Sequence, residues 1–287
     1  MNSGVIYASL ILSGLCFGSF AGASMWRLRA RHLKSENIKN TESKRLNKLT
    51  KSSVLCDRSK CLDCSYTLRW YDMIPIISWV ALRGKCRKCH KPIGYLEPLI
   101  EISMALFFVL SYVFWPYSLD GGMQIVKFII WLMSGVAMAI LFAYDQKWYI
   151  LPDVANFSVI GLGILNAIMT LVMSNNRWSC LVSIVGALLM LGGLYLALYK
   201  LSRGRWVGFG DVKLGFGLAL LLADWRLAFV ALFAANLIGC LVVIPFMMAG
   251  RLNRKSHVPF GPLLIIGTVI ANLFGGQLVN LYLSMFL

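Results

Sequence analysis

Apolar runs close to the thickness of a bilayer recur along this chain, and no other feature restricts its fold as much. A hydrocarbon core needs about 20 apolar residues per helical crossing. Runs approaching that length cover 4–25, 99–115, 125–144, 154–172, 181–199, 206–223, 228–248 and 263–283. Inside hydrocarbon there is no water to bond the backbone, so each run must satisfy its own amides as a helix. The expectation is an all-α polytopic membrane protein with about eight transmembrane helices. The second and sixth runs fit least well. The stretch 212–223 is too short to cross alone, so 206–210 is expected to help complete the sixth crossing. With 59% hydrophobic and 14% charged residues, the composition lies outside the range of soluble domains.

The order of charge sets the topology. No Lys or Arg precedes the first run, while Arg27, Arg29 and Arg31 follow it. A signal peptide carries its charge in front, so this run is expected to stay as a span with its N-terminus outside. The loop 26–95 then lies in the cytoplasm with 17 Lys and Arg. Lys147, Lys200, Arg203, Arg205, Lys213, Arg251, Arg254 and Lys255 fall on the same side, and Lys127, Arg177 and Arg226 outside. The net charge of +16 is thereby explained by topology and attraction to anionic lipid. Nucleic-acid binding is not expected, because the basic loop carries no patterned base-reading motif.

Three regions follow: a first span over 1–26, a cytoplasmic loop over 27–96, and a membrane core over 97–287. Within the loop, 27–50 is polar and expected to be a helical extension fading into a linker. The segment 54–94 holds two cysteine knuckles, Cys61-Leu62-Asp63-Cys64 and Cys86-Arg87-Lys88-Cys89. Lys60 and Lys85 precede the two pairs. Four facing thiolates form a tetrahedron that suits Zn²⁺, so a small zinc-ribbon-like insertion is expected, with metal supplying much of its folding free energy. Cys56 and His90 are reserve ligands. Cys16 and Cys240 are packing residues within spans, and Cys180 carries no assigned role. The aromatic strip 70–79 between the knuckles lies either against the membrane, over the active site, or in a buried hairpin.

Ionisable groups beside hydrocarbon are costly and rare. Asp145 ends the third run, and Gly208-Phe209-Gly210-Asp211 opens the sixth. If the carboxylates meet, one keeps a proton while the other is charged. The opposed helix ends favour Asp145 as the protonated partner and Asp211 as the base. Competing readings stand beside this one: Asp211 as a plain helix cap, and Asp145 as a solvated loop residue. Asp153 is read first as a cap of the fourth helix. Glu101 has three open roles, which are orienting substrate, binding the loop electrostatically, or reaching to water. Gly18-Ser19-Phe20 and Gly22 mark close helix packing.

The chain resembles the type IV prepilin peptidases, bifunctional leader peptidases and N-methyltransferases of the GxGD aspartyl membrane proteases. The blocks that carry the resemblance begin with Gly18-Ser19-Phe20 followed by Arg27, and Arg58-Ser59-Lys60-Cys61-Leu62-Asp63-Cys64. They continue through Trp70-Tyr71-Asp72 with Ile74-Pro75, and Leu82-Arg83-Gly84-Lys85-Cys86. The last are Asp145 through Leu151-Pro152-Asp153, and Gly208-Phe209-Gly210-Asp211-Val212-Lys213. Met73 stands where asparagine is usual in the family, and Leu62 where proline is common.

The resemblance implies a multi-pass protein of the bacterial inner membrane. It implies cleavage of a short basic leader from prepilins or pseudopilins at the cytoplasmic face, then N-methylation of the new terminus by S-adenosylmethionine. It assigns catalysis to Asp145 and Asp211 and structural Zn²⁺ to Cys61, Cys64, Cys86 and Cys89. Residues binding S-adenosylmethionine are unknown, since no Gly-rich dinucleotide-type loop is present. Leader and loop are both basic, so either anionic lipid bridges them or acids such as Asp63, Glu97 and Glu101 receive the leader. Two rivals explain less. A proton-coupled transporter leaves the knuckles idle, and a membrane-tethered zinc-ribbon interaction module leaves the GxGD motif unexplained.

Overall fold

The computed structural model describes residues 3–38, 40–46, 59–250 and 258–286. Lys39, Lys48, Lys51, Arg58, Arg251, Arg254 and Lys255 of the expected inside charge lie outside these residues, as does the reserve ligand Cys56. The chain forms two compact units, Met1–Leu110 and Ser111–Leu287.

In the first unit, α1 (Ser3–Ser35) runs past the expected membrane boundary into the basic region. The short α2 (Thr41–Leu46) folds back on that extension. Ala30, Leu33 and Leu46 form a small buried cluster there, with Trp26, Ile38 and Leu62 packed against it. The 27–50 segment is thus helical over most of its described part. A single 3₁₀ turn (Trp70–Met73) and α3 (Ile77–Ala81) follow, and then α4 (Leu96–Val113). Gly14 and Gly18 bring α1 onto α4 backbone to backbone. A Cβ on Gly18 would lie 2.5 Å from the Cα of Glu101, and one on Gly14 2.6 Å from the Cα of Ala105. Gly22 differs from the expectation, because a Cβ there would meet nothing within 4 Å.

The second unit holds α5 (Gly122–Trp148), α6 (Asp153–Met173) and α7 (Arg177–Ala187). α7 continues through a π-helical turn (Leu188–Gly193) into α8 (Leu194–Ser202). The unit closes with α9 (Phe209–Leu222), α10 (Trp225–Met248) and α11 (Phe260–Phe286). α9 is central, packed against α6, the π turn, α8 and α11. Its buried residues lie on all sides, among them Val212, Leu214, Leu218 and Leu221. Hydrophobic faces all round belong to a helix enclosed by others.

Two expectations are corrected. Among the described residues, seven helices are long and apolar enough to cross a membrane, not eight. The sixth expected span starts at Phe209, capped by Gly208, and Trp206 lies outside it at 75% exposure. Its 14 residues extend only about 21 Å, so Trp206–Gly208 does not lengthen it. The insertion is also not a β-type ribbon. Its knuckles close on two isolated antiparallel bridges, Lys60–Thr67 and Lys85–Pro92, without paired strands among the described residues. Each knuckle spends its backbone bonds on its own tight turn, so no ladder grows between them.

A side chain at Gly18 must push α4 backbone away, whereas one at Gly22 has room. Gly18→Val is expected to cost about 1–3 kcal/mol, seen as a lower thermal midpoint in detergent. Gly22→Ala is expected to leave that midpoint within measurement error.

Candidate active site and metal centre

The GxGD turn places Asp211 in the first turn of α9. The Gly208 amide donates to Asp211 Oδ2 at 3.2 Å, and the Asp211 amide donates to the Gly208 carbonyl at 3.2 Å. Gly208 is the cap residue, so Asp211 is not itself the N-cap. Its carboxylate reaches back to satisfy the free amide that a helix start leaves. One oxygen serves that bond, and Oδ1 takes no hydrogen bond from a described residue.

Asp145 lies in the last turn of α5 and is buried at 5% exposure. That burial removes the reading as a solvated loop residue. Its Oδ2 lies against Gly261, in the first turn of α11, where an added Cβ would be 2.9 Å away. Leu151 lies against both Gly210, next to Asp211, and Gly261, beside Asp145 Oδ2, so the segments that carry the two carboxylates converge on one side chain. Both therefore sit before a helix N-terminus, where the dipole favours negative charge. At Asp145 the dipole of α11 offsets that of α5, so the helix ends alone do not separate the roles of Asp145 and Asp211.

Leu151 is wedged between these parts. A Cβ on Gly210 would lie 3.0 Å from Leu151 Cβ, and one on Gly261 would lie 2.9 Å from Asp145 Oδ2 and 3.3 Å from Leu151 Cδ2. Glycine at 210 and 261 thus permits the close approach of the GxGD turn, the Leu151-Pro152 connection and the α11 terminus. Asn156 Nδ2 donates to the Gly210 carbonyl at 3.3 Å. Lys213 pairs with Asp153 Oδ1 at 2.6 Å, tying α9 to α6. Asp153 is the first residue of α6 after the cap Pro152, and its observed partner is that lysine. Tyr195, buried at the start of α8, packs against α9 one turn beyond Asp211, where a Cβ on Gly215 would lie 3.3 Å from its ring. Sequence reasoning missed Gly261, Asn156 and Tyr195. The Gly261-Pro262 pair was the available signal, since proline inside the first turn marks a helix start.

In the first unit, the Sγ atoms of Cys61, Cys64, Cys86 and Cys89 all lie within 4.8 Å of one another. Tetrahedral Zn²⁺ with bonds of about 2.3 Å needs sulfurs roughly 3.8 Å apart. Cys61–Cys89 and Cys64–Cys86 are each at 3.9 Å, so the four residues fit that ion. The knuckles repeat one backbone design. The Cys61 amide bonds the Tyr66 carbonyl and the Cys86 amide the Lys91 carbonyl, each at 2.9 Å. Ser65 and His90 take matching left-handed turns at φ 59° and 56°. His90 is exposed at its turn and outside the sulfur cluster. Burial pushes the Cys61 thiol up to about 12. Cys86 is buried too, yet amides of Cys89 and Lys88 and the Cys61 thiol hold it down at about 7.

Asp63 is clamped by Arg45 at 2.7 Å and Lys91 at 3.4 Å. These cations outweigh the opposing effect of burial and hold its carboxyl below the usual range. Buried Asp72 accepts from the Arg69 amide at 3.1 Å and from Arg87 Nε at 2.8 Å, which joins the 3₁₀ turn to the second knuckle. Trp70, Ile77 and Val80 are exposed, so the aromatic strip is not a buried hairpin. Glu101 has a definite role. Its Oε2 accepts the Ile76 amide at 2.7 Å. Ile76 holds φ at 59°, a costly conformation for a β-branched residue. Glu101 pins this strained turn to α4, at the point where Gly18 of α1 meets the Glu101 backbone.

Two family models cover most of the chain. The Bacterial Peptidase A24 N-terminal domain matches residues 12–115, and the Type IV leader peptidase family matches residues 131–244. The chain is 30% identical over 290 residues to the prepilin leader peptidase/N-methyltransferase of Burkholderia pseudomallei, covering 96% of this chain and 87% of that protein. It is 29% identical over 286 residues to the protein of that name from Pseudomonas aeruginosa, covering 96% and 92%. The Bacillus subtilis relative of the same name is 28% identical over 233 residues, covering 81% and 88%. No solved structure matches. The chain therefore belongs to the type IV prepilin peptidase/N-methyltransferase family, and is a multi-pass inner-membrane protein.

A loop with so little apolar core depends on its sulfur cluster. Cys61→Ser with Cys64→Ser is expected to expose 59–94 to limited proteolysis at least about tenfold faster, given the large share of folding free energy a structural metal contributes. Metal content by elemental analysis should fall in parallel.

Proposed function

We propose that this protein cleaves the short basic leader of prepilins or pseudopilins at the cytoplasmic face and N-methylates the new terminus. Asp145 and Asp211 are the proteolytic pair. The observation that carries this reading is the convergence of the Asp145 and Asp211 segments on Leu151 and Gly261, within a chain of this family. One carboxylate takes a proton from water as the oxygen attacks the scissile carbonyl. The other, protonated, donates to the carbonyl oxygen, and a proton then passes to the leaving amine. Asp211 suits the base role, because its Oδ1 is free while Oδ2 is anchored to Gly208. Asp145 is the proposed acid. The pair titrates as a unit.

Cys61, Cys64, Cys86 and Cys89 would hold Zn²⁺, which supplies a structural crosslink between the knuckles and no step of proteolysis. S-adenosylmethionine is the proposed methyl donor. Methyl transfer has no residue assigned to it. Of the three acids considered for the leader, Asp63 and Glu101 are committed to internal partners. Glu97 keeps one buried oxygen, Oε2, without a hydrogen-bond partner, while Oε1 accepts from Trp26 at 3.0 Å. Glu97 is therefore the acid best suited to meet a basic leader.

Asp145→Asn and Asp211→Asn are each expected to lower leader cleavage at least about 10²-fold while the thermal midpoint stays near that of the wild type. A purified, folded Asp211→Asn enzyme that still shortens a prepilin would refute the pair. Parallel incubation with and without S-adenosylmethionine, read by mass, separates methylation from cleavage.

A further inference from the structure

A second polar cavity lies far from the aspartates, at the other end of α5. Lys127 stands in the second turn of that helix, and at about 1.5 Å per residue it is some 27 Å from Asp145. The cavity measures about 440 Å³. Lys127 lines it and is 93% buried, its relative exposure being 7%. Its Nζ donates to Thr170 Oγ1 at 3.0 Å and rests 4.9 Å from the Tyr117 ring centre. Among the described residues no carboxylate forms an ion pair with it. An unpaired buried cation is expensive, and two of its three protons find no acceptor here.

The neighbouring donors share that deficit. Trp115 Nε1 and Asn272 Nδ2 both line the cavity, and both are buried without a hydrogen-bond partner. Three residues lining one cavity thus carry buried donor groups in want of acceptor oxygens. Asp224 lines the same cavity, with Oδ1 engaged by the Arg226 amide at 2.7 Å as the cap of α10. The site therefore pairs an oxyanion-seeking side with one carboxylate.

An apolar track leaves the cavity. Val182 is in its lining, and Val185 and Leu189 continue the same helical face, all more than half exposed. Tryptophan and tyrosine around the rim are characteristic of the membrane interface.

We propose that this cavity binds the head group of a zwitterionic aminophospholipid. The phosphate oxygens accept from Lys127, Trp115 and Asn272, the ammonium faces Asp224, and the acyl chains follow Val182, Val185 and Leu189. A free phosphate would satisfy the donors but would leave the carboxylate and the apolar track without a role.

The test uses the full-length protein, purified and delipidated in detergent. Native mass spectrometry and thermal midpoints are recorded with phosphatidylethanolamine, phosphatidylglycerol or inorganic phosphate added. The wild type is expected to retain one phosphatidylethanolamine per chain and to melt higher with it. Lys127→Met should weaken retention about tenfold or more and abolish the shift in midpoint. Trp115→Phe keeps the ring but loses the N–H, and should weaken retention in the same direction. Asp224→Asn preserves the helix cap and should bring the two lipids to near parity. The proposal is overturned if Lys127→Met and Trp115→Phe retain lipid as the wild type does. It is equally overturned if the wild type binds phosphatidylglycerol as tightly, if inorganic phosphate alone reproduces the shift, or if no lipid shifts the midpoint.

Discussion

Two carboxylates of the second unit are held at helix starts rather than by cations. Asp211 receives the Gly208 amide and Asp145 lies against Gly261 at the start of α11, and no ion pair joins either among the described residues. An ion pair would consume the charge that acid–base chemistry needs. A helix start offers donors and a favourable dipole without neutralising the group. Much of the surrounding architecture follows from this arrangement. α9 and α11 begin close together, the α5–α6 connection passes beside both, and glycine at 210 and 261 leaves room for Leu151 and for Asp145 Oδ2.

A helix of 14 residues is too short to cross a bilayer on its own, and other helices surround this one. Short or irregular backbone is tolerated inside a membrane where other helices, not lipid, satisfy its free groups. α6 supplies those partners. Asn156 bonds the Gly210 carbonyl in the first turn of α9, and Asn166 bonds the Leu221 carbonyl in its last turn at 2.7 Å. The latter is a carbonyl that a helix end leaves without an internal partner. The two asparagines, ten residues apart, clamp both ends of α9 and show that α6 and α9 run parallel.

The first unit solves a different problem, which is order in a polar loop without a large core. It uses short-range fasteners: four sulfurs, the Asp63 and Asp72 clamps, and the Glu101 carboxylate on the strained Ile76 turn. Leu62, at a position where the family commonly carries proline, contributes apolar contact to the Ala30–Leu33–Leu46 cluster. The knuckle is thereby attached to the helical extension of α1. Met73, the other departure, is 45% exposed and meets no comparable demand.

Membrane class, the positions of seven long helices, the paired cysteines and the two aspartates were all readable along the chain, because each rests on local spacing. Apolar length dictates a spanning helix, and two Cys-x-x-Cys turns dictate a sulfur cluster wherever they meet. The limits of α9 were not readable, since hydropathy alone does not reveal that other helices, rather than lipid, enclose a segment. Nor could the sequence show that Gly261, 116 residues after Asp145, lies against its carboxylate, or that Glu101 bonds the Ile76 amide. Those contacts join segments distant in sequence, so only three-dimensional packing decides them. The sequence alone determined which chemical groups this membrane protein possesses. The tertiary structure decided which amides face its carboxylates, because a helix dipole acts on whatever lies before its end and not only on its own residues.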